Sequence, residues 1–533
     1  MKFDAKFKSG LAAVGVVATL AGWSTTPQAQ APKKGGILNI AVVAEPPNYD
    51  CHAQSTFGLS HPVSPHYSTL LKYSGGYKDA KIVGDLAESW NVSADGLTYS
   101  FKLHKDVKFH DGSPLTSTDV KATYERIANP PAGVVSLRKP LYEDIAAIET
   151  PDEHTAIFKL KSVNASMLDS LASPWNCVYS AAKLKVDQKY PETNIMGTGA
   201  FQFVQHIKGQ SWEAKRFDGY FRKGFPYIDG YKMFFIKSAS LATGLIGGQF
   251  DIEMRGISPA ERDQIMDKKK DDMVLNEGPW WCSNMIVFNS RKKPFDDVRV
   301  RQALSLAIDR WGTSDAVAKI SLLKHVGGFS RPGASFALSA AELEKLPGYG
   351  RDINKSREEA KRLLKEAGVT NLKINFLNRA VGQPYTTAGI LVVDQWKKIG
   401  VETDHKQLET KLFFDALAKQ DFDISIDFIC DHADDPSLQY THFLSLAKNS
   451  PASYSKHSDT KIDDLFDKQK TVLDPAARKK ATADFENYAI TQANNAMLFW
   501  WQRIVVHHKR LKGWQLTSSH YTGNDLTEVW LDQ

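Results

Sequence analysis

The sequence predicts an α/β protein, and three observations carry that. A strand–helix–strand pattern runs from Leu372 to Leu408: LKINFL, an apolar-periodic stretch over 387–399, then VETDHKQL. A helix between two strands at that spacing is a βαβ unit with a parallel pair. Elsewhere, strands of alternating character are interleaved with capped helices rather than segregated from them. The chain has 533 residues, 42% of them apolar, which exceeds a single core and leads us to expect two or three lobes.

The first residues are a separate matter. Lys2, Lys6 and Lys8 precede a short apolar run, Leu11 to Trp23, and Ala29-Gln30-Ala31 has the small-x-small form of a cleavage site. This is the pattern of a cleavable secretory signal over 1–31. The run falls short of the roughly 20 residues a spanning helix needs. The expected product is an exported, soluble, periplasmic protein.

Its first strand is Ile37 to Val43, stopped by Glu45-Pro46-Pro47 because proline donates nothing to a ladder. Leu97, Tyr99, Phe101 and Leu103 alternate with polar residues, so that stretch is a half-buried strand entered from the turn Ala94-Asp95-Gly96. Val107 and Phe109 alternate again before His110-Asp111-Gly112. Thr116 caps a helix from Ser117, with Asp119 at its third position. Val300, Ala303, Leu304, Ala307 and Ile308 share one helical face behind Asp296 or Asp297 as cap. In KSREEAKRLLKEAG, Ser356 and Glu359 read as a capping box and Gly368 as the stop. FDISIDF, 422–428, is a further strand. It delivers the chain into DFICDHADDP, residues 427–436. Ligands of open α/β sheets sit beyond the carboxyl ends of strands, where Arg379 and 430–436 both fall.

The net charge of +6 is mild for this length, and no basic cluster interleaves with aromatics, so nucleic acid is not an expected partner. There is no GxSxG, P-loop, HExxH or post-strand GxGxxG, and so no enzyme and no cofactor is expected. The four cysteines contain no CxxC pair, and in an exported chain disulfides are expected of them. His507-His508 would point apart on an extended segment and make a poor chelate. Trp280 and Trp281 are neighbours on a strand, so at most one of them faces any cleft; Trp500-Trp501 carry the same ambiguity, with core packing favoured.

Five blocks carry a family resemblance. AESWNVSADGLTYSFKLHKDVKFHDGSPLTSTDV (87–120) is the most specific. MGTGAFQF (196–203), GGQFDI (247–252), FNSRKKPFDDVRVRQALSLAIDR (288–310) and KIDDLFDKQKTVLDPAAR (461–478) follow in order. The chain resembles the family 5 solute-binding proteins of ABC importers, which include peptide and nickel binders.

The resemblance implies a two-lobed periplasmic-binding-protein fold that closes like a hinge over a ligand. Lobe I would hold 32–283 and 504–533, with an extra subdomain over about 76–190; lobe II would hold 284–503. It implies a monomer that captures a peptide or another small anionic solute for a membrane permease. A nickel or haem carrier and a chaperone-like peptide holder are the alternatives.

It also implies a Cys282–Cys430 disulfide anchoring the acidic loop, which leaves Cys51 and Cys177 for each other; buried free thiols are the alternative. Peptide binders of the family place an Asp four residues before the loop proline to hold the ligand ammonium. Here that position is His432, with Asp431 and Asp434 as possible substitutes. A neutral imidazole cannot neutralise an amine. The dipeptide binders' carboxylate-gripping Arg, seventeen residues before a helix Trp, corresponds to Arg379 before Trp396. Apart from the resemblance, whichever of Trp280 and Trp281 faces a cleft would stack on a flat or apolar part of the ligand, with pure core packing as the alternative.

Overall fold

The computed structural model describes residues 31–532; the expected leader, but for Ala31, lies outside them. Its backbone is organised by one eleven-stranded sheet. In spatial order its strands are Glu402–Leu408, Lys373–Arg379, Ile424–Cys430, Met273–Phe288, Asn495–His508, Ile252–Glu253, Ile37–Val42, Gly230–Phe235, Ser211–Arg216 and Phe201–Ile207. Leu323–His325 pairs at the side of Asn495–His508.

Two long strands hold this sheet together. Met273–Phe288 has 16 residues and Asn495–His508 has 14, and they pair antiparallel along most of their length. The register slips between Pro279 and Ser283 and again before Met285. Proline cannot donate to the ladder, and a slip of this kind bends and twists a ribbon. The slips divide the ribbon into one end paired beside Ile252–Glu253 and another beside Ile424–Cys430.

The expected βαβ unit is present. Lys373–Arg379 and Glu402–Leu408 run parallel around the helix Thr387–Lys397, whose Trp396 is buried and donates to the Leu304 carbonyl at 2.9 Å. Thr116 caps the helix Ser117–Ala128 with the Asp119 box, and Asp297 caps Val298–Leu306. One cap is corrected. The helix expected from Ser356 starts four residues earlier, at Ile353, under Asp352, whose side chain accepts from Lys355 N at 3.0 Å. Asp352 is itself a good cap residue, and capping there adds one turn to the helix.

A separate four-stranded sheet is built from Ala87–Val92, Thr98–Leu103, Ile145–Asp152 and Thr155–Leu160. It has its own core around Phe101, Tyr124 and Phe158, with rings meeting edge to face at 5.0 to 5.6 Å. Ala433 and Leu438, from the far acidic loop, pack into that core. The loop therefore touches both sheets.

Both disulfides exist. Cys282 and Cys430 face each other in register on adjacent antiparallel strands, with Cα atoms 4.2 Å apart. Cys51–Cys177 ties the segment after the first strand to the stretch before the helix Ala181–Val186, with a Cα separation of 6.1 Å and both residues buried in the main core. Trp500 and Trp501 are core residues: their indole N–H groups donate to the Gly328 carbonyl and to Asn284 Oδ1, each at 3.0 Å.

Candidate functional site

A groove of about 620 Å³ opens between residues 47–55 and 135–137 on one side and 411–418 and 449–456 on the other. That is within the size range of small-ligand sites. It shares Ser55 and Leu137 with a narrower inner chamber, whose wall includes Arg138, Phe428, Asp431, His432 and His442. Segments far apart in sequence thus meet across one cleft.

Arg379 ends its strand at the carboxyl edge of the parallel pair, where the βαβ pattern puts a ligand residue. Its side chain is wholly buried. Nε donates to Thr410 Oγ1 at 3.0 Å, and Nη2 donates to Thr56 Oγ1, 323 residues away in sequence, at 2.8 Å. Nη1 has no acceptor among the described residues. The rings of Phe57, Phe414 and Tyr385 lie 5.1, 5.5 and 5.6 Å from the guanidinium carbon. Phe414 also lines the groove. Burial pushes the guanidinium below its ordinary value, with Arg255 acting in the same direction. An arginine nevertheless keeps its charge.

Arg255 shares this pocket and nothing in the sequence marked it. It follows the GGQFDI block by three residues, but no periodicity or spacing singles it out. Its Nη1 donates to the Gln383 carbonyl at 2.9 Å. Nε and Nη2 have no acceptor among the described residues. Phe57 stands 4.5 Å from it, Trp501 5.3 Å, Trp280 5.4 Å and Tyr385 5.9 Å.

The acidic loop presents its residues in different directions. Asp431 lines the inner chamber, and burial lifts its carboxyl to about 7, with Arg138 pulling it down and Asp435 pushing it up. Asp434 is spent on Arg331, at 3.0 Å. Asp435 caps the helix Pro436–Tyr440 and is held by Arg478 at 2.8 Å and by Ser166 Oγ at 2.7 Å. Of the two acids expected to stand in for the missing aspartate, Asp431 lines the chamber.

His432 is buried, and burial lowers its imidazole to about 4, so the ring is neutral near pH 7. Its Nε2 lies 2.8 Å from the Asp169 carbonyl. A carbonyl only accepts, so Nε2 carries the proton and Nδ1 is bare. Nδ1 lies 3.8 Å from the nearer Asp431 oxygen and has no donor among the described residues.

Two further residues escaped sequence reasoning. Asp427 lies on the strand Ile424–Cys430, wholly buried, and burial lifts it to about 7, opposed by the Phe428 backbone N–H and then by Arg379. Arg138 lines the chamber, stacks 4.5 Å from Trp175 and donates to the Gln54 carbonyl. Burial lowers it to about 10, and Asp431 offsets part of that. Strand periodicity marked Asp427 only as one more position in an apolar run, and Arg138 sits in an irregular loop.

The tryptophans divide as their alternation requires. Trp280 is wholly buried, donates to His520 Nδ1 at 2.9 Å and meets Trp501 edge to face at 5.1 Å. Trp281 is half-buried against the small sheet's core, and its carbonyl accepts from Asp431 N at 3.2 Å. The indole thus backs the loop that carries Asp431.

For metals, His507 and His508 do not converge: His507 Nδ1 is used on the His508 carbonyl at 3.0 Å. Cys282, Cys430 and His520 gather within 4.8 Å, but the two sulfurs are bonded to each other and offer no thiolate.

Residues 81–451 match the family described as bacterial extracellular solute-binding proteins, family 5, middle part. The glutathione-binding protein GsiB of Pectobacterium atrosepticum is 31% identical over 300 residues, covering 55% of this chain and 54% of that protein. The chain thus spans about half the length of the curated relatives it matches. Two solved structures share the fold closely. DppA of Helicobacter pylori, in complex with the peptide STSA, superposes with a TM-score of 0.83 at 21% identity, covering 94% of this chain and 99% of that one. AgaA of A. tumefacien R10, in complex with agropinic acid, gives 0.82 at 24% identity, with 93% and 99% covered. The fold is the two-lobed α/β one of periplasmic binding proteins.

Proposed function

The chain belongs to family 5 of the bacterial extracellular solute-binding proteins, and from that premise we propose that it is the solute-capturing component of an ABC importer. It works as an exported periplasmic protein and hands its load to a membrane permease. No helix among the described residues is long and apolar enough to cross a membrane. Lobe I is 32–283 with 504–533, including the subdomain over about 76–190, and lobe II is 284–503. The ribbon of the two long strands, with its slipped register, is the hinge. Ligand binding then biases closure by its preference for the closed form.

The load is a small organic solute with an acidic group, peptide-like in size. One observation carries this: Arg379, buried beside the groove residue Phe414, keeps an N–H without an acceptor among the described residues after reaching Thr410 and Thr56. A carboxylate completes that fork in plane. The relatives' named ligands, glutathione, a peptide and agropinic acid, support an organic load of this kind. His432, neutral and tied to the Asp169 carbonyl, contributes no charge for an ammonium; Asp431 supplies one as its proton leaves.

The test is native mass spectrometry of the protein taken from its own periplasm, before and after denaturation. A co-purified mass matching a di- to pentapeptide assigns the amine to Asp431. An amine-free organic acid makes His432 a change of specificity with Arg379 as the retained anchor. A released metal ion with no organic mass would overturn the proposal in favour of metal transport.

A further inference from the structure

Arg379 is not the only buried guanidinium with donors left over. Arg255, from the strand-ending segment after Ile252–Glu253, stands beside it and shares the faces of Phe57 and Tyr385. The two come from opposite sides of the hinge ribbon. Arg255 reaches across to the Gln383 carbonyl, and Arg379 reaches back to Thr56. Both side chains are wholly buried. Between them, three guanidinium nitrogens have no acceptor among the described residues: Nη1 of Arg379, and Nε and Nη2 of Arg255.

Burying two like charges side by side is costly unless each meets an anion. The aromatic faces offset part of that cost. Two carboxyls are near, Glu253 and Asp427, and neither closes the account. Glu253 Oε2 is taken by the Gly256 N–H at 2.6 Å, and among the described residues neither Glu253 Oε1 nor Asp427 Oδ2 is hydrogen-bonded to either arginine. Burial holds both carboxyls up at about 7, so each is only partly ionised near neutrality. A third buried guanidinium, Arg503, stands close, but its donors are used on the carbonyls of Met254, Arg255 and Thr517. It adds positive charge without adding a free hand.

We propose that Arg255 is a second anion-binding residue, so that the solute this protein selects carries two acidic groups, one held by Arg379 and one by Arg255. This rests on the reading of Arg379 as a ligand anchor. Arg255 acts here as a specificity residue. A monoanion satisfies Arg379 and leaves Arg255 buried with its N–H groups unmet. A dianion satisfies both and ties the two sides of the hinge together in the closed form. Discrimination by unmet buried donors is stronger than discrimination by size.

The experiment offers the protein, unfolded and refolded to free it of its load, an equimolar pool of di- and tripeptides. Each glutamate-containing member is matched by its glutamine twin, which differs by one carboxylate. Native mass spectrometry reads the Glu-to-Gln uptake ratio. A charge-assisted hydrogen bond to the second carboxylate favours the Glu twin by about tenfold or more in the wild type. In Arg255→Met the ratio falls to near one while the Gln twins still bind. Arg255→Lys, which keeps the charge and loses the fork, retains part of the preference and stands in should the Met variant not fold. A wild-type ratio near one, or a ratio unchanged in both variants, would overturn the role of Arg255 and leave Arg379 as anchor. Uptake of no member, or uptake unaffected by Arg379→Met, would overturn the anchor reading and this inference with it.

Discussion

Replacing Arg379 by Met keeps most of the buried stem and removes the charge and all five donors. Two protein–protein hydrogen bonds go with it, to Thr410 at 3.0 Å and to Thr56 at 2.8 Å. Each is worth about 0.5–1.5 kcal/mol net. Only the Thr56 bond joins the two proposed lobes, so the loss charged to closure in the empty protein is about 1 kcal/mol. The ligand's acid then loses its buried partner, a change that costs about 2–5 kcal/mol. At 1.4 kcal/mol per decade this is a rise in Kd of roughly 30- to 4,000-fold. Thr56→Val separates the two terms, because it removes that bond and leaves the charge. Its expected effect is about fivefold. Titration calorimetry with the co-purified solute reads both variants. If Arg379→Met binds within threefold of the wild type, or no more weakly than Thr56→Val, Arg379 does not touch the ligand.

Asp431→Asn tests the buried carboxyl. Burial raises the folded group from its ordinary 3.8 to about 7, so between those values the folded protein binds more protons than the unfolded chain. Stability therefore falls as pH rises through that window. The Asn variant escapes this, gaining up to about 4 kcal/mol over wild type at pH 8 and nothing at pH 4; thermal melts at the two pH values check it, and equal gains at both would refute the buried charge. His432→Asp restores the residue type of the peptide binders but removes the donor to the Asp169 carbonyl and puts a new carboxylate beside Asp431. The expected result is an unfolding free energy lower by about 1–3 kcal/mol in chemical denaturation, rather than tighter peptide binding. Cys282→Ser with Cys430→Ser opens a link spanning 148 residues, for which chain entropy gives about 5 kcal/mol. Urea denaturation measures the loss, and a loss below about 1 kcal/mol would refute the entropic account.

Sequence reasoning reached the backbone of the site more fully than its side chains. The βαβ unit that ends in Arg379 was legible because strand and helix periods, 2 and 3.6, are local properties. So was the helix at Ser117, from the spacing of Thr116 and Asp119. The Asp352 cap was missed because Asp352 and Ser356, four residues apart, are both good cap residues, and only the folded backbone shows which side chain accepts. The resemblance identified the disulfides, Arg379 and the acidic loop. It named three candidate residues in that loop, and the tertiary structure sorted them. Asp431 faces the chamber, His432 is held by a carbonyl 263 residues away, and Asp434 is paired with Arg331.

By itself the sequence determined the α/β class, the parallel unit and the family. These depend on periodicity, caps and ordered blocks, which are written within tens of residues. The tertiary structure alone decided that Arg255 stands beside Arg379, that Arg138 lines the inner chamber with Asp431, and which buried donors remain unmet among the described residues. A side chain's charge is read from its letter, but its burial and its partners are set by segments hundreds of residues distant. The field in which it acts therefore exists only once the chain has folded.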